Sequence, residues 1–410
     1  MSDRPIHAPL QQFLVVDDAL VVGGMTIAQL VAQVGQTPFY AYDREVMTRR
    51  MGALREALPD GVSIHYALKA NPMPAVVDHL ASLADGLDVA SLGELRIALD
   101  SGTDAAEISF AGPGKGDQEL RAAVASGITI NLESAGECRR TLRIGDELGI
   151  TPRVAVRVNP DFELKSSGMK MSGGAKPFGI DAEQVPTVLR QIGESSAHFR
   201  GFQIFSGSQN LRSDRLLEAQ NATFDLAYRL AEDAPSAIEI LNIGGGFGIP
   251  YFPGDRHLEL GAVGENLARR MDQCRRRLGE TEVVVELGRY LVGEAGVYVC
   301  EVIDKKISRG VTYLVTDGGL HHHLAASGNF GQIVRKNFPI CTAHRVAGRP
   351  RETVNIVGRL CTPLDLLGER IEIGVAEPGD RIVIMQSGAY GFSSSPHLFL
   401  SHPAPLEILV

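Results

Sequence analysis

The sequence predicts an α/β protein made of a (β/α)8 barrel followed by an all-β domain. Eight short β-branched runs alternate with helical stretches between Val62 and Leu287, which suits the size of one barrel. Beyond Arg289 the texture changes to strand-like runs separated by turn residues, with little helix. The chain, at 410 residues, also exceeds what one hydrophobic core usually fills.

The expected barrel strands are 62–68, 87–90, 108–111, 128–132, 153–158, 201–205, 238–243 and 282–287. Helical patterns lie between them at 92–100, 118–126, 135–148, 185–192, 216–231 and 264–278. Regular alternation favours a closed parallel barrel over the alternative, a doubly wound open sheet. In the second domain 297–303, 312–316, 354–357, 370–373 and 381–385 read as strands, and 13–22 reads as a strand that joins them. The expected division is 1–37 as an N-terminal segment contributing to the β domain, 38–292 as the barrel and 293–410 as the C-terminal β domain.

Composition narrows the function. The net charge of −9 is spread along the chain, which argues against a nucleic-acid or anionic-membrane partner. No apolar run approaches the ~18 residues of a membrane span. Residues 1–10 lack the apolar core of a secretory signal. Five scattered cysteines without a C-x-x-C pair fit a reducing, cytoplasmic setting and give no disulfide framework or zinc site.

In a barrel enzyme the chemistry sits where strands end. The first strand runs into Tyr66-Ala67-Leu68-Lys69-Ala70-Asn71-Pro72. A lysine closing an apolar strand is poorly solvated, and desolvation lowers an amine's pKa toward the range of a Schiff-base nucleophile. The plainer reading is a lysine snorkelling to water. The seventh strand ends in Gly244-Gly245-Gly246, whose backbone N–H groups could cradle a phosphate, and the eighth in Glu286-Leu287-Gly288-Arg289. Arg289 suits a phosphate partner and Glu286 a cofactor ring; an ordinary surface ion pair is the alternative for these two. Three strand ends that agree favour the cofactor site.

These motifs, with Asp88-Val89-Ala90-Ser91, Arg157-Val158-Asn159-Pro160, Cys361 before Asp365, and Gly388-Ala389-Tyr390-Gly391, resemble the fold-type III pyridoxal 5′-phosphate (PLP) decarboxylases. That group includes diaminopimelate, ornithine and arginine decarboxylases and shares its barrel with the alanine racemases. The resemblance covers nearly the whole chain. It implies decarboxylation through a Lys69 Schiff base and a quinonoid, in a head-to-tail homodimer with shared sites. It further implies that Gly244, Gly245, Gly246, Ser208, Arg289 and Tyr390 hold the phosphate. Asp88 would also bind the cofactor, and Glu286 would meet the pyridine nitrogen. Cys361, from the partner subunit, would return a proton to Cα, although a buried small hydrophobe is the ordinary fate of a free cysteine. A carboxylate at the ring nitrogen favours the pyridinium and strengthens the electron sink, where a racemase-type arginine would not.

Two departures bear on the substrate. Phe205 stands where the family carries a histidine that stacks on the ring, and an aromatic face can still cover it. The loop Asp317-Gly-Gly-Leu-His-His-His-Leu-Ala-Ala326 lacks the arginine that grips the distal carboxylate of diaminopimelate, and Thr362 replaces the acidic residue expected after the cysteine. The expected substrate pocket is Arg157, His322, Thr362 and Asp365. His321-His322-His323 invites a metal reading, but adjacent side chains point apart and no acidic ligand follows at useful spacing, so no metal is expected. The histidine loop, with Phe205-Ser206-Gly207-Ser208, resembles a narrower branch. That branch decarboxylates amino-acyl groups tethered to carrier proteins in biosynthetic and exopolysaccharide-associated clusters. A diaminopimelate decarboxylase and a non-catalytic binding protein of the same fold are the competing readings.

Overall fold

The structure, a computed structural model, describes residues 5–162, 169–170 (backbone only) and 173–410. The chain forms two compact units. One comprises Arg50–Gly248 and Leu258–Gly288, the other Met1–Arg49, Ile249–His257 and Arg289–Val410.

The first unit is the expected barrel. Its eight parallel strands are Val62–Ala67, Gly86–Val89, Ile108–Phe110, Thr129–Leu132, Arg153–Asn159, His198–Gln203, Ile240–Gly245 and Glu282–Leu287. Each pairs with the next in chain order, and the eighth pairs with the first, which closes the ring. These strands are buried on both faces, because side chains fill the barrel inside and helices cover it outside. The covering helices are set by local signals. Ser91 accepts a hydrogen bond from Glu94 N (3.2 Å) while Glu94 accepts one from Ala90 N (2.7 Å), which starts the helix Leu92–Asp100. Ser134 and Glu137 repeat the device for Ala135–Leu148, and Gly149, in the left-handed region at φ 65°, ends that helix.

The sixth and seventh strands differ in bounds from the sequence expectation. The sixth ends at Gln203, so Phe205 lies beyond it. The seventh runs on through Gly245, with a register shift between Asn242 and Gly245, because the backbone turns left-handed at Gly244 (φ 67°).

The second unit is a mixed sheet in the order Ile340–Thr342, Arg381–Ile384, Gly296–Ser308, Val311–Thr316, Arg351–Val357, Leu366–Gly374. The strand Phe39–Tyr42 pairs antiparallel with Gly296–Ser308 and parallel with Leu406–Leu409. The sequence reading starts the barrel at residue 38, whereas this pairing gathers 39–42 into the β sheet. The 13–22 stretch is not one strand. It breaks at Asp17 and Asp18, both at positive φ, into the hairpin Leu14–Val16 and Ala19–Val22. No helix among the described residues is long and apolar enough to cross a membrane.

Candidate active site

In the barrel unit the apolar first strand leads into a single tight turn, Leu68–Ala70, that carries Lys69. Lys69 Nζ lies 3.1 Å from Glu286 Oε1 of the eighth strand, and Gln203 Nε2 donates to Glu286 Oε2 at 2.7 Å. The Glu286 side chain is buried, while that of Lys69 is 43% exposed. Burial pushes the Glu286 carboxyl up. The Lys69 ammonium, Arg157 and the Gln203 amide more than reverse this and hold it below the usual carboxylate range. Asp88, on the second strand, moves the other way. Burial and the charge of Glu286 raise it, against the pull of His65 and Ser109. Neighbouring carboxyls driven apart in this manner mark sites of acid–base chemistry. The Phe205 ring centroid lies 5.5 Å from Lys69 Nζ.

The glycine run needs its glycines. Gly244 and Gly246 have φ of 67° and 78°, in the left-handed region. A Cβ on Gly246 would lie 2.3 Å from the Gly207 carbonyl oxygen, and one on Gly244 2.8 Å from the Phe205 ring. Beside this loop the Ser208 Oγ is buried without a hydrogen-bond partner among the described residues. An unpartnered buried hydroxyl next to a glycine turn is a place prepared for an acceptor-rich group. Arg157, on the fifth strand, is tied at 2.6 Å to Glu133 and lies 5.3 Å from the Phe178 ring, so its charge is already paired.

The β unit holds the other expected residues. Arg289 Nη1 donates to Tyr251 Oη at 2.9 Å, and its guanidinium stacks 4.6 Å from the Tyr390 ring. Both Asp365 oxygens accept backbone N–H groups, from Leu320 (2.6 Å) and Leu360 (2.8 Å), so this carboxylate pins two loops together. His322 bonds the Pro403 carbonyl through Nε2 at 2.8 Å and meets Tyr298 Oη at 3.3 Å. His323 likewise uses both ring nitrogens, with Ser387 Oγ at 2.9 Å and Ala326 N at 3.2 Å. Burial leaves the three histidines uncharged at neutral pH, holding His321 down at about 3, His322 at about 4 and His323 at about 3. Thr362 Oγ1 accepts from Leu364 N at 3.3 Å, and Cys361 is a free, exposed thiol.

Thus Lys69, Glu286, Asp88, Phe205 and the Gly244–Ser208 region gather in the barrel unit, and Arg289 joins Tyr390 in the β unit. Gln203 and Tyr251 escaped the sequence reading. Gln203 closes the sixth strand, so a strand-end rule applied to that strand would have found it.

PLP carries an aldehyde, a basic ring nitrogen, a ring face and a phosphate. The barrel unit offers an amine, a charged carboxylate, an aromatic ring and a glycine turn with an unpartnered hydroxyl, so the residues fit the group.

The family profile described as "Pyridoxal-dependent decarboxylase, pyridoxal binding domain" matches residues 44–293. The L-glutamyl-[BtrI acyl-carrier protein] decarboxylase of Niallia circulans is 37% identical over 91% of this chain and 89% of its own length. The 2-[(L-alanin-3-ylcarbamoyl)methyl]-2-hydroxybutanedioate decarboxylase of Staphylococcus aureus is 31% identical over 92% of this chain and 95% of its own. A crystal structure of diaminopimelate decarboxylase from M. jannaschii superposes with a TM-score of 0.88 at 26% identity, covering 98% of this chain and 93% of that one.

Proposed function

The chain belongs to the pyridoxal-dependent decarboxylases, and on that premise we propose that its substrate is an amino-acyl group tethered to a carrier protein. It is an enzyme, and PLP is its cofactor. The observation that carries the substrate reading is the loop Asp317-to-Ala326. In the expected substrate pocket it carries buried, uncharged histidines, two of them also depressed by the neighbouring Arg359, and no cation of its own. A buried site rejects a charged group that it cannot pair. A tethered acyl group brings no such charge, and the glutamyl-carrier decarboxylase at 37% identity supports the same substrate class.

Lys69 is the proposed attachment point of the cofactor, with Gly244, Gly245, Gly246, Ser208, Arg289 and Tyr390 on its phosphate. Bound PLP supplies the electron sink for the bond that loses CO2. Glu286, charged and fixed through both oxygens, holds a proton on the ring nitrogen. Phe205 covers the ring, and Asp88 stands beside Glu286 as a second cofactor-binding carboxyl. The exposed Cys361 thiol delivers the proton that replaces CO2 at Cα. We further infer a homodimer in which the Cys361 loop of one protomer serves the cofactor of the other, in a cytoplasmic setting that keeps the five cysteines free.

The test measures CO2 release from L-glutamyl-loaded carrier protein, free meso-diaminopimelate and free ornithine, followed by borohydride reduction and peptide mapping. Turnover of the loaded carrier, with the pyridoxyl label on Lys69, is expected. Efficient turnover of free diaminopimelate would replace the tethered-substrate reading, and a label on another lysine would remove Lys69.

A further inference from the structure

Inside the barrel, one layer deeper than the Lys69–Glu286 pair and toward the ends where the third and eighth strands begin, three donors converge that the decarboxylase chemistry does not use. His65 lies within the first strand, Glu107 just precedes the third, and Glu282 opens the eighth. One donor atom from each lies within 4.8 Å of the others. Among the described residues neither glutamate forms an ion pair or hydrogen bond with the ring, whose nitrogens are buried without hydrogen-bond partners there. The His65 side chain is only 6% exposed. The three atoms are therefore too far apart to bond one another and close enough for one ion to bridge.

The surroundings support an ion. His65 Nδ1 faces Asp88 Oδ1 at 3.5 Å, an ion-pair contact and not a hydrogen bond, on the side from which a carboxylate can orient an imidazole whose other nitrogen binds metal. Gly86 makes room for that nitrogen. A Cβ there would lie 2.5 Å from His65 Nε2 and 2.5 Å from the Glu107 carbonyl oxygen. His65 and Glu107 line a cavity of about 20 Å3, enough for one ion or water. Thr129 lines the same cavity, and its Oγ1 is buried without a partner among the described residues, available to a water in the fourth coordination position.

We propose that His65, Glu107 and Glu282 bind a zinc-like divalent cation that ties together the first, third and eighth strands inside the barrel. One imidazole and two carboxylates suit zinc, at metal–ligand distances of ~2.0–2.2 Å reached by small inward swings of the half-buried glutamates. The sequence hides the site because long stretches of chain separate the three donors. The proposal is independent of the substrate reading.

The test strips the holoenzyme with chelator, adds Zn2+ or Mn2+, and measures bound metal by mass spectrometry alongside the melting temperature. About one Zn2+ per chain and a raised melting temperature are expected. Glu107→Gln and Glu282→Gln should each weaken binding by more than ~100-fold, beyond the usual effect of a supporting residue. Both should keep the visible absorbance of bound PLP, which certifies the fold. Zinc uptake unchanged in both variants, or no uptake by wild type, would overturn the site and leave a water or a protonated His65 in the cavity.

Discussion

Glu286 and Asp88 are buried carboxyls a few strands apart, and their neighbours drive them in opposite directions. Lys69, Arg157 and Gln203 keep Glu286 charged despite burial, while Asp88, facing that charge, is raised. Glu286→Gln removes the charge and keeps the shape. The variant should bind PLP with the wild-type visible spectrum yet lose decarboxylation by about 100-fold, as expected when a preorganised electrostatic partner is removed. Single-turnover CO2 release measures it, and near wild-type turnover would show that another group governs the ring nitrogen. At this scale the sequence was informative where a residue closes a strand, as for Lys69 and Glu286. It was silent on who holds them. Gln203 reaches Glu286 from two strands away and Glu133 claims Arg157 from the end of the neighbouring strand, contacts that depend on the lateral order of the strands and not on any local motif.

The barrel strands could be read because burial on both faces demands continuous β-branched runs. The Asp17-Asp18 turn could not, since it lacks the glycine that usually marks a left-handed turn. Gly246→Ala tests the glycine turn, because the added methyl meets the Gly207 carbonyl at 2.3 Å on a backbone already at φ 78°. The variant should lose at least ~1 kcal/mol of stability and weaken PLP affinity several-fold in a spectroscopic titration. Unchanged affinity would remove this turn from the phosphate site. The histidine loop is tested by pH. Burial holds His323 down at about 3, against ~6.5 in the unfolded chain, so between these values the unfolded state binds a proton that the folded state refuses. Stability therefore falls as pH drops below ~6.5. His323→Asn should flatten the dependence by up to ~1.4 kcal/mol per pH unit in denaturant melts. An unchanged slope would mean that His323 is protonated in the fold.

Lys69 and Cys361 belong to different compact units. If the proposed dimer shares its sites, Lys69→Ala and Cys361→Ala are each nearly inactive, but mixing them under subunit exchange rebuilds one site per mixed dimer. A random mixture should recover roughly a quarter of wild-type activity, since half the dimers are mixed and each has one of two sites intact. No recovery despite proven exchange would place Cys361 over its own chain's cofactor or remove it as the acid.

The strand Phe39–Tyr42 is buried along its whole length between Gly296–Ser308 and Leu406–Leu409. A ribosome delivers it well before either partner, because the whole barrel lies between them in the chain. The barrel segments can all emerge while this strand still waits with both edges open. Throughout that interval the nascent chain carries four apolar residues ready to pair with whatever strand comes near. The delay with which Gly296–Ser308 and Leu406–Leu409 follow the barrel out of the ribosome therefore sets how long each new molecule is exposed to aggregation.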